Sequence, residues 1–188
     1  MSARPTRTLP LPVATERLWL REFVADDLPA MLAYGSNPKV NRYMLFAPDE
    51  EENARKHLAA VLRQQGHARR KSWELAAARQ QDGQVVGACD LNLTPEGEGD
   101  LGYVLAEEHW GQGYGTEILR SLVRACFGEL QLPRVVATID VRNKRSIRVA
   151  EKAGLRWEGT LRRHVEARGR WWDVEVYALQ REEWLAQG

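Results

Sequence analysis

Apolar residues recur along the chain with two different periods. Between Ser72 and Ala106 they crowd into three short runs, Ser72 to Arg79, Gln84 to Leu93 and Leu101 to Ala106. The polar, glycine-bearing stretches Gln80 to Gly83 and Thr94 to Gly99 separate them. Short apolar runs with turn residues between them predict consecutive antiparallel strands. After Tyr114 the spacing changes. Ile118, Leu119, Leu122, Val123, Cys126 and Phe127 fall three and four apart and give one apolar face to a helix reaching Glu129. Pro133 bars its continuation, and Arg134 to Val141 reads as a buried strand.

The same reasoning covers the rest. Arg17 to Phe23 predicts a strand. Asp26 and Asp27 open a helix that Gly35-Ser36-Asn37-Pro38 closes. Asp49 and three glutamates open a second helix with Ala54, Leu58, Val61 and Leu62 as its stripe. It frays into the basic run His67 to Lys71, which reads as a solvated helix end. Asn143 caps a helix to Ala153, and Gly154 stops it. Arg156 to Leu161 and Trp171 to Leu179 predict a last pair of strands, with Arg162 to Arg170 as their loop and Arg181 to Leu185 as a terminal helix. Trp19, Trp73, Trp157 and Trp184 read as core, whereas Trp171 and Trp172, adjacent in a strand, must face opposite ways. Pro5, Pro10 and Pro12 make residues 1–14 a loose arm. Strands followed by strand–loop–helix units predict a single mixed α/β (α+β) domain over 1–188.

Composition narrows the function. A length of 188 residues suits one domain with a sizeable core. A net charge of +1 gives no reason to expect nucleic acid. No apolar run approaches the roughly 18 residues of a membrane helix, and the N-terminus lacks the apolar stretch of a signal peptide, so the expected location is cytoplasmic. Cys89 and Cys126 sit alone in apolar contexts and read as small core residues in a reducing compartment. No Cys or His spacing suggests a metal site.

Chemistry concentrates in Leu101 to Leu122, where a strand runs through Gly111-Gln112-Gly113-Tyr114-Gly115 into a helix start. The first N–H groups of a helix lack internal partners and carry the positive end of its dipole. Glycines let that backbone approach a bulky anion, so the stretch predicts a phosphate cradle. It is not a Walker loop, since no Lys-Ser or Lys-Thr follows, nor a dinucleotide fingerprint, since Thr116 stands where a third glycine belongs.

With Leu101 to Thr116, Thr15 to Arg21, Asn143 to Leu155, and Trp157 to Arg162 running on to Trp172-Asp173 and Tyr177, the chain resembles the GNAT superfamily of acyl-CoA N-acyltransferases, in particular the branch with the ribosomal-protein-alanine N-acetyltransferases. The resemblance spans nearly the whole chain. It implies a mostly antiparallel sheet of about seven strands, splayed in the middle and flanked by about four helices. It implies acetyl-CoA as acyl donor and no metal. The pantetheine arm of coenzyme A would lie in the splay beside the strand Leu101 to Ala106. Backbone N–H groups of Val104 or Leu105 would hold the thioester oxygen, and those of Gln112, Gly113, Tyr114, Gly115 and Thr116 the pyrophosphate. Asn143 would contact the pantetheine arm besides capping its helix.

Two departures from the superfamily pattern matter. Trp110 stands where the loop usually begins with Gln or Arg, and Trp cannot donate to a phosphate as Arg does. Ala150 stands where many members carry a Tyr general acid. In the ribosomal-protein branch a Ser takes over, and it matches Ser146, which either bonds the departing sulfur or merely caps a helix. The branch's general base falls at Val165 by count, with Glu166 adjacent; Glu166, His164, Glu107 and Asp100 all remain candidates. His109 packs near the loop.

The expected reaction is direct attack of a primary amine on the thioester in a ternary complex. A free α-amine, with a pKa of about 7.7–8.0, asks less of the protein than a lysine at about 10.4. The acceptor is a protein N-terminus or a small amine such as a polyamine or aminoglycoside, and succinyl could replace acetyl. A non-catalytic acyl-CoA sensor is the alternative. An RNA-binding module would rest only on Arg162, Arg163, Arg168 and Arg170. The chain is expected as a monomer or homodimer.

Overall fold

The structure, a computed structural model, describes residues 8–45, 50–67 and 70–186. The arm before residue 8, the helix start at Asp49 and Arg69 of the basic run lie outside them. Among the described residues eight strands form one sheet: β1 (Val13–Ala14), β2 (Leu18–Glu22), β3 (Ser72–Arg79), β4 (Val85–Leu93), β5 (Gly99–Leu105), β6 (Arg134–Asp140), β7 (Arg156–Ala167) and β8 (Arg170–Gln180). Their spatial order is β1-β2-β3-β4-β5-β6-β8-β7. Every pairing is antiparallel except β5 with β6. The α-helices are α1 (Leu28–Gly35), α2 (Pro38–Asn41), α3 (Glu51–Gln65), α4 (Tyr114–Gly128), α5 (Lys144–Lys152) and α6 (Arg181–Leu185). The expected mixed α/β domain with a mostly antiparallel sheet is thus observed, with eight strands rather than about seven and, among the described residues, six α-helices rather than about four.

Strand alternation divides the core in two. Leu18, Leu20, Trp73, Leu75 and Leu91 face α4 and α5, packing on Ile118, Leu119 and Leu122. Ala76 and Ala88 face the other way, onto Phe23, Met31, Leu58 and Val61 of the α1–α3 side. Burying a leucine-sized side chain in such a layer is worth about 1.5–3 kcal/mol, so the two layers hold the helices against the sheet.

The parallel joint positions the site. β5 and β6 pair only at Gly99↔Val135 and Asp100↔Val136. From Leu101 onward β5 is paired with β4 alone, and a cleft opens between the halves of the sheet. The connection from β5 to β6 runs through α4, which places the α4 N-terminus at the mouth of that cleft.

Three expectations need correction. Part of the proline-rich arm is seated: Leu9 is buried, and Val13–Ala14 pairs with Leu20 and Trp19. A buried leucine and a two-residue ladder outweigh the prolines around them. The stretch Arg162 to Arg170 is mostly strand, not loop. β7 continues to Ala167 past an irregularity between Leu161 and Val165, because the facing β8 offers it a ladder to the turn. Trp19 and Trp157 are exposed, at 40% and 58%, while Trp73 is buried. Leu18 and Leu20 take the inner face of β2, which turns Trp19 outward, and Trp157 stands on the edge strand. As alternation requires, Trp172 is buried and Trp171 exposed.

Candidate active site

The glycine loop meets α4 in the conformation its residues require. Gly113 is the N-cap of α4 with φ +86°, and no side chain caps the first turn. A left-handed φ favours glycine, and an uncapped first turn leaves its amides facing outward. Glu117 N–H already bonds to Gly113 O at 3.1 Å, so the open donors are those before it.

Cations flank the loop. Arg17, from the β1–β2 turn, donates from Nη1 to Gln112 O at 3.0 Å and lies over the Tyr114 ring at 4.5 Å. Glu117, in the first turn of α4, accepts from Arg17 Nε at 2.8 Å and from Arg17 N at 2.6 Å. Thr15 Oγ1 adds a bond of 2.5 Å to the same carboxylate. Burial raises the Glu117 pKa, but the bonds from Thr15 and Arg17 outweigh it and hold the carboxyl below its ordinary value. Trp110 acts structurally, since its Nε1 donates to Leu105 O at 2.9 Å and ties the end of β5 to the loop. The Arg145 guanidinium lies over its ring at 5.0 Å. Two guanidinium groups, Arg17 paired with Glu117 and Arg145 over Trp110, thus stand beside the loop.

The start of α5 forms the opposite wall. Asn143 caps it, its Oδ1 accepting from Ser146 N at 3.2 Å. Ala150 is fully buried in the core, so no hydroxyl comes from that position. One arrives from across the cleft instead. Tyr103 of β5 brings its Oη to 3.2 Å from Ser146 Oγ. Its ring packs on Gly115, where a Cβ would sit 2.9 Å from Tyr103 Cε2.

Backbone direction separates Val104 from Leu105. Ala106 N–H bonds to Val86 O on β4. N–H directions alternate along a strand, so Leu105 N–H points away from β4, toward the cleft, as does its carbonyl that meets Trp110. Val104 turns its side chain instead to the α1–α3 face, where it packs on the second core.

On that face lies a cavity of about 310 Å³ lined by Tyr34, Met44, His57, Glu74, Asp90 and Val104, among others. Glu74 and Asp90 are cross-strand partners on β3 and β4. Glu74 bonds to His57 Nε2 at 2.7 Å, and this bond raises the His57 pKa. Asp90 Oδ2 accepts from Asn92 Nδ2 at 2.8 Å. Burial, with the Asp100 and Glu74 carboxylates nearby, pushes Asp90 up to about 7 against the weaker pull of Asn92. Asp100 is likewise raised by burial.

The other candidate bases lie apart from this cavity. Glu166 is exposed opposite Trp171, so it shares that residue's outer face. His164 is exposed on the same strand. Glu107 is bound by Lys39 Nζ at 2.5 Å and Asn37 Nδ2 at 2.9 Å, and the Lys39 bond above all keeps its pKa low. His109 is buried, its ring edge-on to Tyr114 at 6.3 Å. Sequence reasoning missed Tyr103, His57, Glu74 and Asp90. The available signal was an acid in the middle of each of two apolar strands, an unusual choice at a half-buried position.

The sheet is thus split after two residue pairs, with an uncapped glycine turn at the mouth of the split. Residues 17–156 match the Acetyltransferase (GNAT) domain, and the chain belongs to that family. It is 30% identical over 175 residues to the uncharacterized N-acetyltransferase p20 of Bacillus licheniformis, covering 90% of this chain and 96% of that protein. A GNAT-family acetyltransferase from Bacillus anthracis superposes with a TM-score of 0.80 at 27% identity, covering 91% of this chain and 99% of that one. Mycobacterium smegmatis RimJ, solved with CoA-disulfide, shares the fold at a TM-score of 0.79 and 22% identity, covering 92% and 90%. Among the described residues no helix is long and apolar enough to cross a membrane.

Proposed function

We propose that the protein transfers an acetyl group from acetyl-CoA to a primary amine by direct attack within a ternary complex. The carrying observation is that β5 loses its partner after Asp100, which leaves a cleft running from Leu105 N–H to the open amides around Gly113.

The donor set suits coenzyme A. Amides of Gln112 to Thr116 would take the pyrophosphate, with Arg17 and Arg145 adding charge beside the loop. Leu105 N–H would donate to the thioester oxygen as it becomes an oxyanion; such a donor is worth about 10²–10³ in rate. Val104 lines the cavity, and its N–H, two residues before that of Ala106, points to β4 rather than to the cleft. The Asn143 amide would hold the pantetheine arm. Bound there, the coenzyme supplies an activated acyl carbon with a thiolate as leaving group.

This chain's residues do the rest. A cavity carboxylate takes a proton from the incoming ammonium, and the free amine forms the C–N bond. The adduct nitrogen would then give up its second proton as the C–S bond breaks, and Ser146 with Tyr103 would pass one proton to the departing sulfur, so that a single proton is released overall. The products are the amide, the thiol and one released proton. Proton acceptance falls to the cavity rather than to exposed Glu166. Positioning two reactants in this way supplies much of the acceleration.

Thiol release from acetyl-CoA with a panel of small amines and peptides bearing free N-termini tests the reading, and release that requires an amine is expected. The acyl-CoA sensor is the second reading, favoured by the buried Ala150 at the usual Tyr position. Tight coenzyme A binding with no release on any amine would establish it instead.

A further inference from the structure

We propose that the cavity beside β3 and β4 takes a slim aliphatic primary ammonium that carries no carboxylate, with Asp90 as its anchor. The proposal rests on the reading of this cavity as the acceptor half of the transfer site.

Its walls argue for the class. Tyr34, Met44 and Val104 offer apolar surface for an alkyl stem, and His57, Glu74 and Asp90 place polar groups within the same space. Among the described residues no lysine or arginine lines it. A volume of about 310 Å³ is at the low end for small-ligand sites, which suits a narrow stem better than a branched polar one.

The charges are unequal in their pairing. Glu74 already has His57 at 2.7 Å. Among the described residues Asp90 has only the neutral amide of Asn92, itself held by Ser72 Oγ at 2.5 Å. Its other oxygen lies over Gly102, where a Cβ would stand 2.4 Å from Oδ1. Glycine at 102 thus makes room for the carboxylate to lie against β5, on the face that carries Val104. Acids side by side on neighbouring strands repel, and Asp100 adds a third nearby. A bound ammonium would relieve that repulsion, whereas a ligand carboxylate would add to it.

The test is calorimetric binding of butylamine and 4-aminobutanoate to the protein saturated with coenzyme A, paired with thiol release from acetyl-CoA. These ligands share an amine and a stem and differ by one carboxylate. Butylamine is expected to bind at least about tenfold more tightly, the factor that 1.4 kcal/mol gives. Asp90→Asn should bring the two within about threefold while coenzyme A affinity and Tm do not fall. Gly102→Ala displaces the carboxylate without removing it and should lose the same discrimination. Equal binding in the wild type, discrimination surviving in both variants, or a free-N-terminus hexapeptide preferred tenfold over butylamine overturns the proposal. Discrimination in binding without thiol release from any amine would instead leave the ammonium site standing and remove the transfer reading.

Discussion

Ser146 Oγ and Tyr103 Oη stand 3.2 Å apart across the cleft between α5 and β5. The position that carries a tyrosine in many relatives is filled here by Ala150, buried in the core. The Tyr103 phenol stands on the opposite wall instead, beside Ser146, where the proposed reaction would release its sulfur. Burial raises the Tyr103 pKa and the Ser146 bond partly offsets this, so the phenol keeps its proton at neutral pH. Tyr103→Phe and Ser146→Ala are each expected to lower kcat about a hundredfold, the lower end of the range for general acid catalysis. The affinity for coenzyme A should change little. On the proposal that the two hydroxyls act as one relay, the double variant should lose much less than the product of the single losses. Full additivity, read from steady-state kinetics, would separate them.

Gly113 tests the cradle. At φ +86° a side chain is strained, and a Cβ would also meet Arg17 Nη2 at 3.3 Å. Gly113→Val should cost about 1–3 kcal/mol in stability and weaken coenzyme A binding at least about tenfold, equivalent to 1.4 kcal/mol. Unchanged affinity by calorimetry would remove the phosphate cradle.

Arg17 and Glu117 tie the first strands to the loop. Glu117→Gln keeps the shape but loses the charge that holds Arg17 Nε and the backbone N–H of Arg17. Charge-assisted bonds of this kind contribute about 1.5–3 kcal/mol when buried, and Arg17 is partly exposed, so a loss near the lower figure is expected in denaturant unfolding. Coenzyme A should bind more weakly to the variant, while acetyl-pantetheine, which has no pyrophosphate, should be used as well as before. An equal loss with both donors would show general disruption rather than loop positioning.

Stability should fall as pH rises from about 4 to about 8. Asp90 is raised to about 7 in the fold, against about 3.9 unfolded. The folded state therefore binds the extra proton between those values, and its contribution is lost as pH climbs through 7. His57, raised by its bond to Glu74, acts with the same sign. Its contribution is complete below about 6.5 and is lost above that, through its raised folded value. Asp90→Asn should flatten the Asp90 part and raise Tm at pH 8 more than at pH 5. Thermal melts across that range decide it; a wild-type Tm that climbs over the interval contradicts the assignment.

Much of this could be read along the chain because its causes are local. The apolar face Ile118 to Phe127, the barrier at Pro133, the Asn143 cap and the Gly154 stop each act within a few residues. The glycine turn declares its own backbone conformation. The split between β5 and β6 followed from resemblance rather than from periodicity, since nothing in one strand states where its neighbour ends. The extent of β7 was misread because Arg162 to Arg170 is polar, and an edge strand need not be apolar to hold a ladder.

Sequence by itself determined the order of elements, the faces they bury and the glycine turn at the start of α4, because those depend on neighbours three or four residues away and on glycine's freedom at positive φ. Only the tertiary structure decided which side chains meet. Tyr103 reaches Ser146 from 43 residues away, and Arg17 reaches Glu117 from 100. Asp90 acquires its raised pKa from burial and from acids on neighbouring strands. Such pairings arise when the sheet closes, and their energies depend on distance and burial in space rather than on spacing along the chain.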